Sequence, residues 1–191
     1  MPTTHSVQRT TPVHQDRYFV DTNVWFWFTY CASKEISTDR SPKRYQLEKY
    51  PEFIEKVLDS GAKLYHCPLV YTELANIIEK TEFDIYCENN PATTINRKEF
   101  RSLESEREKV MSEINLAWRT INDLSTCLDI NLREDRVPSI HELLSTTTLD
   151  SYDALYLGLM QQEGIEKIIT DDNDFVSSTV SDIYTANNRI L

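Results

Sequence analysis

Four carboxylic acids stand where the sequence could do chemistry. Asp21 closes the apolar run of "RYFVDTNVW", Glu73 follows "AKLYHCPLVYT", Asp153 lies early in "SYDALYLGLMQQEG", and Asp172 follows "IEKIITD". A carboxylate set against a buried strand is costly unless something pairs with it. Brought together, such acids repel and raise one another's pKa values. A hard divalent cation that prefers oxygen ligands, Mg²⁺ or Mn²⁺, relieves that repulsion. The same ion polarises a phosphodiester and lowers the pKa of bound water, so that hydroxide attacks in line. Each acid also has a simpler use. Asp21 is placed to cap the helix beginning near Val24, and Glu73 to favour a helix N-terminus through the macrodipole. Asp150 and Asp153 have the spacing of a capping box, and Asp172-Asn173-Asp174 that of an Asx turn. Capping, however, gives no reason for all of them to meet at one edge of a sheet.

The elements that must position these acids alternate along the chain. Tyr18-Phe19-Val20 reads as a short buried strand, and Val24–Tyr30 as the start of an apolar, aromatic helix. In "SPKRYQLEKYPEFIEKVLDSG", Pro42 stands near a helix start, Pro51 opens a second helix, and Gly61 falls where a C-terminal cap belongs. "AKLYHCPLVY" reads as the next strand, running into a helix over "TELANIIEK" whose Leu74, Ile77 and Ile78 share a face. "SYDALYLGLMQQEG", "IEKIIT" and "DIYTA" then read as helix, strand and final strand. This order predicts an α/β fold of three layers, α/β/α, around a mostly parallel sheet. In open sheets of that kind, sites form beyond the carboxyl ends of the strands, which is where these acids fall.

Between them, about 81–138 departs from the pattern. "RKEFRSLESEREKVMSEINLAWRTINDLSTCL" places Phe100, Leu103, Val110, Met111, Ile114, Trp118 and Ile121 at helical spacing opposite a densely charged face. This predicts one long amphipathic helix, either packed on the core or serving as an arm for a partner. The expected organisation is a flexible tail over 1–15 and a single domain over 16–191 carrying a helical insertion at about 81–138.

Composition narrows the function. With 191 residues and a formal charge of −11, the chain suits one domain and lacks the broad cationic surface of a general nucleic-acid coat. Only three glycines occur, Gly61, Gly158 and Gly164, so neither a Walker loop nor a dinucleotide fingerprint is present. Cys31, Cys67, Cys87 and Cys127 lack C-x-x-C spacing, and the histidines are scattered, which argues against zinc and disulfides. No apolar run reaches the roughly 20 residues needed to cross a bilayer. The expectation is a soluble, cytoplasmic protein.

"YFVDTNVW", "CPLVYTELANII", "SYDALYLGLMQQEG" and "IITDDNDF" resemble the successive motifs of PIN-domain ribonucleases, which include VapC-type toxins. The most specific match is Asp-Ala-Leu, a helix, then Thr-x-Asp-x-Asp-Phe. The resemblance implies Asp21, Glu73, Asp153 and Asp172 as catalytic and metal-binding acids. It makes Asp174 an accessory acid, Thr22, Asn23 and Thr170 polar neighbours, and Asp150 and Asp171 bystanders. It also implies a Mg²⁺- or Mn²⁺-dependent endoribonuclease that leaves 5′-phosphate and 3′-hydroxyl ends, an antitoxin partner and a homodimer. Given the chain's acidity, RNA would need a small cationic footprint, for which Lys43, Arg44, Arg97, Lys98 and Arg101 are the candidates, although they also read as ordinary solvated helix faces. Two alternatives are structure-specific DNA cleavage and a non-catalytic binding module of the same fold. A phosphatase of the haloacid-dehalogenase type is disfavoured, because the second Asp it needs is Asn23 here.

Overall fold

The computed structural model describes residues 2–34, 41–180 and 182–191. In chain order its elements are β1 (Thr3–Ser6), β2 (Arg17–Val20), α1 (Thr22–Thr29), α2 (Arg44–Asp59), β3 (Lys63–His66), α3 (Pro68–Asn89) and α4 (Arg97–Phe100). There follow α5 (Glu104–Leu124), β4 (Thr126–Cys127), α6 (Val137–Thr146), α7 (Ser151–Glu163), β5 (Lys167–Ile169) and β6 (Asp182–Thr185). The strands form one sheet in the order β1-β6-β5-β2-β3-β4, and every pairing is parallel.

The reason β2 lies at the centre is in its residues. Tyr18, Phe19 and Val20 are wholly buried, as a strand covered on both faces requires. Successive side chains point to opposite faces. Tyr18 meets Phe53 of α2 edge-on, with ring centroids 5.9 Å apart, while Phe19 meets Tyr156 of α7 at 5.2 Å. So α2 and α7 cover opposite faces, and the three-layer α/β/α arrangement stands. Because β2 is flanked by β5 on one side and β3 on the other, the direction of winding reverses at its C-terminal end. That is the crevice where such sheets bind ligands.

The segment expected to be a flexible tail is structured. β1 adds to the sheet beside β6, with Thr3 opposite Asp182 and Ser6 opposite Thr185. His5 bonds Asp182 at 2.7 Å and stacks on Tyr184, and Val7 is buried. A polar edge strand is held by its ladder and a few side-chain contacts, so it shows no apolar run in sequence. Further along, Gly61 has a φ of +73°, and a Cβ there would come within 2.7 Å of His14 Nδ1. The N-terminal segment therefore packs over the turn that ends α2.

The central segment also differs from expectation. The helix of "TELANIIEK" does not end near residue 80. α3 runs on to Asn89, because Glu79 and Glu82 point inward rather than to solvent. Arg97, Arg101 and Arg107 converge on Glu79 at 3.0, 2.7 and 3.3 Å. Glu82, 1% exposed, is paired with Lys34 and with Lys109 (2.8 Å), and accepts from the Tyr30 hydroxyl at 2.7 Å. These pairs fasten α4 and α5 to α3. The single long helix is in fact α4 and α5, separated at Leu103, which is the N-cap of α5 and exposed rather than part of the apolar face. α5 leads into β4, so the expected insertion supplies a strand of the sheet. Pro51 lies inside α2 instead of opening a new helix, since buried Tyr50, Phe53, Ile54 and Val57 carry the helix through it. β3 ends at His66, and Pro68 is the first residue of α3, a position where its missing N–H costs nothing.

Candidate active site

Three of the acids lie just past a strand end or at a helix start, and the fourth lies in the second turn of a helix. Asp21 follows β2, with its amide donating to the Ile169 carbonyl of β5 (3.1 Å), which sets it directly beside the neighbouring strand. It is 3% exposed. As a cap for α1 it is weak, since the Asn23 amide is 3.4 Å away. Its closer partner is the Thr170 hydroxyl, which donates to Oδ2 at 2.8 Å. That hydroxyl also accepts from the Asp172 amide at 2.9 Å, tying the end of β5 to the end of β2. Asp172 is held in turn by the Asp174 amide at 2.8 Å, the Asx turn read from the sequence.

In α7 the two roles of Asp150 and Asp153 separate. Asp150 is the N-cap and accepts from the amides of Tyr152 and Asp153 at 2.8 and 3.0 Å. Asp153 is thus relieved of capping. Its buried carboxylate accepts no hydrogen bond among the described residues. Glu73, in the second turn of α3, accepts from the Tyr156 hydroxyl at 2.7 Å. Asn23 is half-buried beside Asp21, and Thr22 is buried and hydrogen-bonded to Tyr156 at 3.0 Å.

The charges of neighbouring acids act on Asp153 and on Asp21. Asp153 is pushed up to about 9, first by burial and then by the charges of Asp21, Asp150, Asp172 and Glu73. Asp21 is pushed up to about 7 by burial and by Glu73 and Asp172, against the lowering effect of the Thr170 hydroxyl. Burial also raises Asp172. No Lys, Arg or His pairs with Asp21, Glu73, Asp153 or Asp172 among the described residues. Among those residues, no three His, Cys, Asp or Glu side chains form a ready-made metal cage. The donor set is nevertheless of the kind a hard divalent cation takes: all oxygen, partly desolvated, and without a paired cation among the described residues.

Asp171 stands apart. Its carboxylate accepts from Tyr45 (2.8 Å), Gln46 (2.8 Å) and Tyr50 (2.6 Å) of α2, and its carbonyl from the Asn187 amide group (2.9 Å). Facing α2 with three donors, it is a structural anchor, whereas the charge of its neighbour Asp172 acts on Asp21. Asp171→Asn is expected to destabilise the fold by about 1–3 kcal/mol, since a charged acceptor is lost from a set of aligned donors. Thermal unfolding would show this as a Tm lower by about 2–4 °C per kcal/mol.

Of the cations expected to meet RNA, Arg97 and Arg101 are engaged by Glu79 and Arg44 by Glu48, which leaves Lys43 and Lys98 exposed. A groove of about 520 Å³ opens between α6 and α7, lined in part by Leu132, Ile140, Leu143 and Leu155, and none of the four acids lines it. Tyr156 was hidden in the sequence by its apolar helix. The only signal is its place three residues after Asp153, on the same helix face.

A parallel sheet with acids at its winding reversal defines an α/β protein with its candidate site at the carboxyl edge of the sheet. Residues 18–178 match the PIN domain family, and the chain belongs to it. PIN domains are generally nucleases that use divalent metal ions. No curated protein matches the sequence. Among solved structures, the chain is similar to the crystal structure of VapBC2 from Rickettsia felis bound to a DNA fragment from their promoter. The identity is 12% and the TM-score 0.48, over 88% of this chain and 98% of that one. No helix among the described residues is long and apolar enough to cross a membrane.

Proposed function

We propose that the protein is a Mg²⁺- or Mn²⁺-dependent endoribonuclease. The observation that carries this is the set of Asp21, Glu73, Asp153 and Asp172. They arrive from separate elements, neighbouring acids raise Asp21 and Asp153, and no Lys, Arg or His among the described residues pairs with any of the four. Asp21 and Asp153 would hold the ion, with Glu73 and Asp172 completing the shell. When bound, the ion supplies an activated water and polarises the phosphodiester. The chain's own part is positional. The Thr170 hydroxyl fixes the Asp21 carboxylate, the Asp174 amide fixes that of Asp172, and Asp150 caps α7 so that Asp153 is left unpaired. Asp174 and Asn23 stand next to this set as accessory polar groups.

RNA as substrate, a cytoplasmic role as a homodimeric toxin, and an antitoxin partner rest on the motif resemblance. The test is digestion of RNA beside single-stranded and flap DNA, with Mn²⁺, with Mg²⁺ and with EDTA. The expected result is RNA cleavage that stops with EDTA and leaves 3′-hydroxyl ends. Cleavage that survives EDTA overturns the metal assignment, and cleavage confined to DNA overturns the substrate. The absence of a ready-made cage among the described residues favours one rival, a binding module that has kept the fold without catalysis. Calorimetry with Mn²⁺ separates the two, because the module would bind no ion.

A further inference from the structure

Tyr156 has a hydroxyl that packing alone does not require. Its ring is fully buried against Phe19, with centroids 5.2 Å apart, and a phenylalanine would fill the same space. A buried hydroxyl is retained without penalty only where it is hydrogen-bonded. Both partners of this one belong to the candidate site. Its oxygen lies 2.7 Å from Glu73 Oε2, to which it donates, and 3.0 Å from the hydroxyl of Thr22, the residue after Asp21. Because the phenol proton goes to the carboxylate, the Thr22 hydroxyl is the donor in the second bond.

We infer that Tyr156 is a positioning residue that fixes the orientation of the Glu73 carboxylate toward the metal. The inference rests on the metal-binding reading of the acids. Tyr156 joins three elements: α7, which carries Asp153 one turn earlier, α1 at its first residue, and α3 through Glu73. Glu73 is a long side chain reaching in from the second turn of α3, and this is the one hydrogen bond its carboxylate makes among the described residues. The phenol's bond to Oε2 fixes the plane of the carboxylate and leaves Oε1 without a protein donor among the described residues. Partners of this kind, which orient a ligand without touching the metal, typically change metal affinity 10- to 100-fold when removed.

The test is Mn²⁺ binding by calorimetry on the full chain, with wild type, Asp153→Asn, Tyr156→Phe, Glu73→Gln and the Tyr156→Phe/Glu73→Gln double variant. Tyr156→Phe is expected to weaken binding about 10-fold. In the Glu73→Gln background the same change should add less than about 2-fold, because a residue acting only through Glu73 has nothing left to position. Thr22→Val should weaken binding in the same direction, and Thr22→Ser should restore it. If Tyr156→Phe melts below the assay temperature, the Thr22 pair carries the test. Wild-type affinity in Tyr156→Phe beside lost binding in Asp153→Asn overturns the inference and leaves the metal site standing. An equal loss from Tyr156→Phe with and without Glu73 assigns Tyr156 a general structural role, and also overturns it. Unchanged binding in Asp153→Asn overturns the metal reading and this inference together.

Discussion

Asp153→Asn is expected to lower RNA cleavage by about 10³-fold, equivalent to about 4 kcal/mol of transition-state stabilisation, while making the metal-free protein more stable. The two effects have one origin. Asp153 is buried, accepts no hydrogen bond among the described residues, and is surrounded by the charges of Asp21, Asp150, Asp172 and Glu73. Such a group works against the fold when no cation is present, and Asn keeps its shape without its charge. The same exchange removes a ligand that the ion needs, so activity and stability move in opposite directions. The measurement is a pair: initial cleavage rates with saturating Mn²⁺, and Tm in EDTA at pH 8. A variant that loses activity and stability together would assign Asp153 a structural role.

The metal-free protein should also lose stability as pH rises. Asp21 and Asp153 are pushed up to about 7 and about 9 in the folded state, whereas an unfolded Asp titrates near 3.9. The native state therefore binds more protons than the unfolded chain across that interval, and stability falls with increasing pH throughout it. Below pH 4 both states are protonated and the effect vanishes. A tenfold change in proton affinity corresponds to about 1.4 kcal/mol, but coupled acids release their protons in shared steps, so only part is lost by pH 9. A decline on the order of 2–3 kcal/mol, or about 5–10 °C in Tm, is expected between pH 5 and pH 9 in EDTA. Mn²⁺ should flatten the curve by binding the ionised native state. A metal-free Tm that is level over this range would show that the acids do not share a desolvated space.

The four acids were legible in the sequence because each sits beside a punctuation mark of the fold. Asp21 ends an apolar strand, Glu73 and Asp153 lie early in helices, and Asp172 follows "IIT". The rule for parallel sheets sets strand ends at a common edge, which is the basis for proposing the four acids as one site. What stayed hidden had no periodic signal. β1 is polar because it lies at the sheet edge. α3 seemed to stop near residue 80 because Glu79 and Glu82 look like solvent-facing acids, whereas they are buried and paired by residues from α4, α5 and Lys34. The densely charged face of α5 gives no sign in sequence of a partner, yet part of it supplies those pairs. Tyr156 read as one more aromatic in an apolar helix, because a phenol's partners are set by tertiary contacts alone. Asp171 and Asp172 are adjacent and chemically alike. Only the three donors of α2 distinguish the anchor from its neighbour.

Thr3–Ser6 is the one strand, among the described residues, that screens the open flank of β6. Unpaired strand rims are templates for recruiting strands from other molecules. Any event that peels this ribbon away, such as a clip ahead of Arg17, would replace a short polar edge with the bare rim of the largely buried β6. The acids would remain intact while the protein began to self-associate.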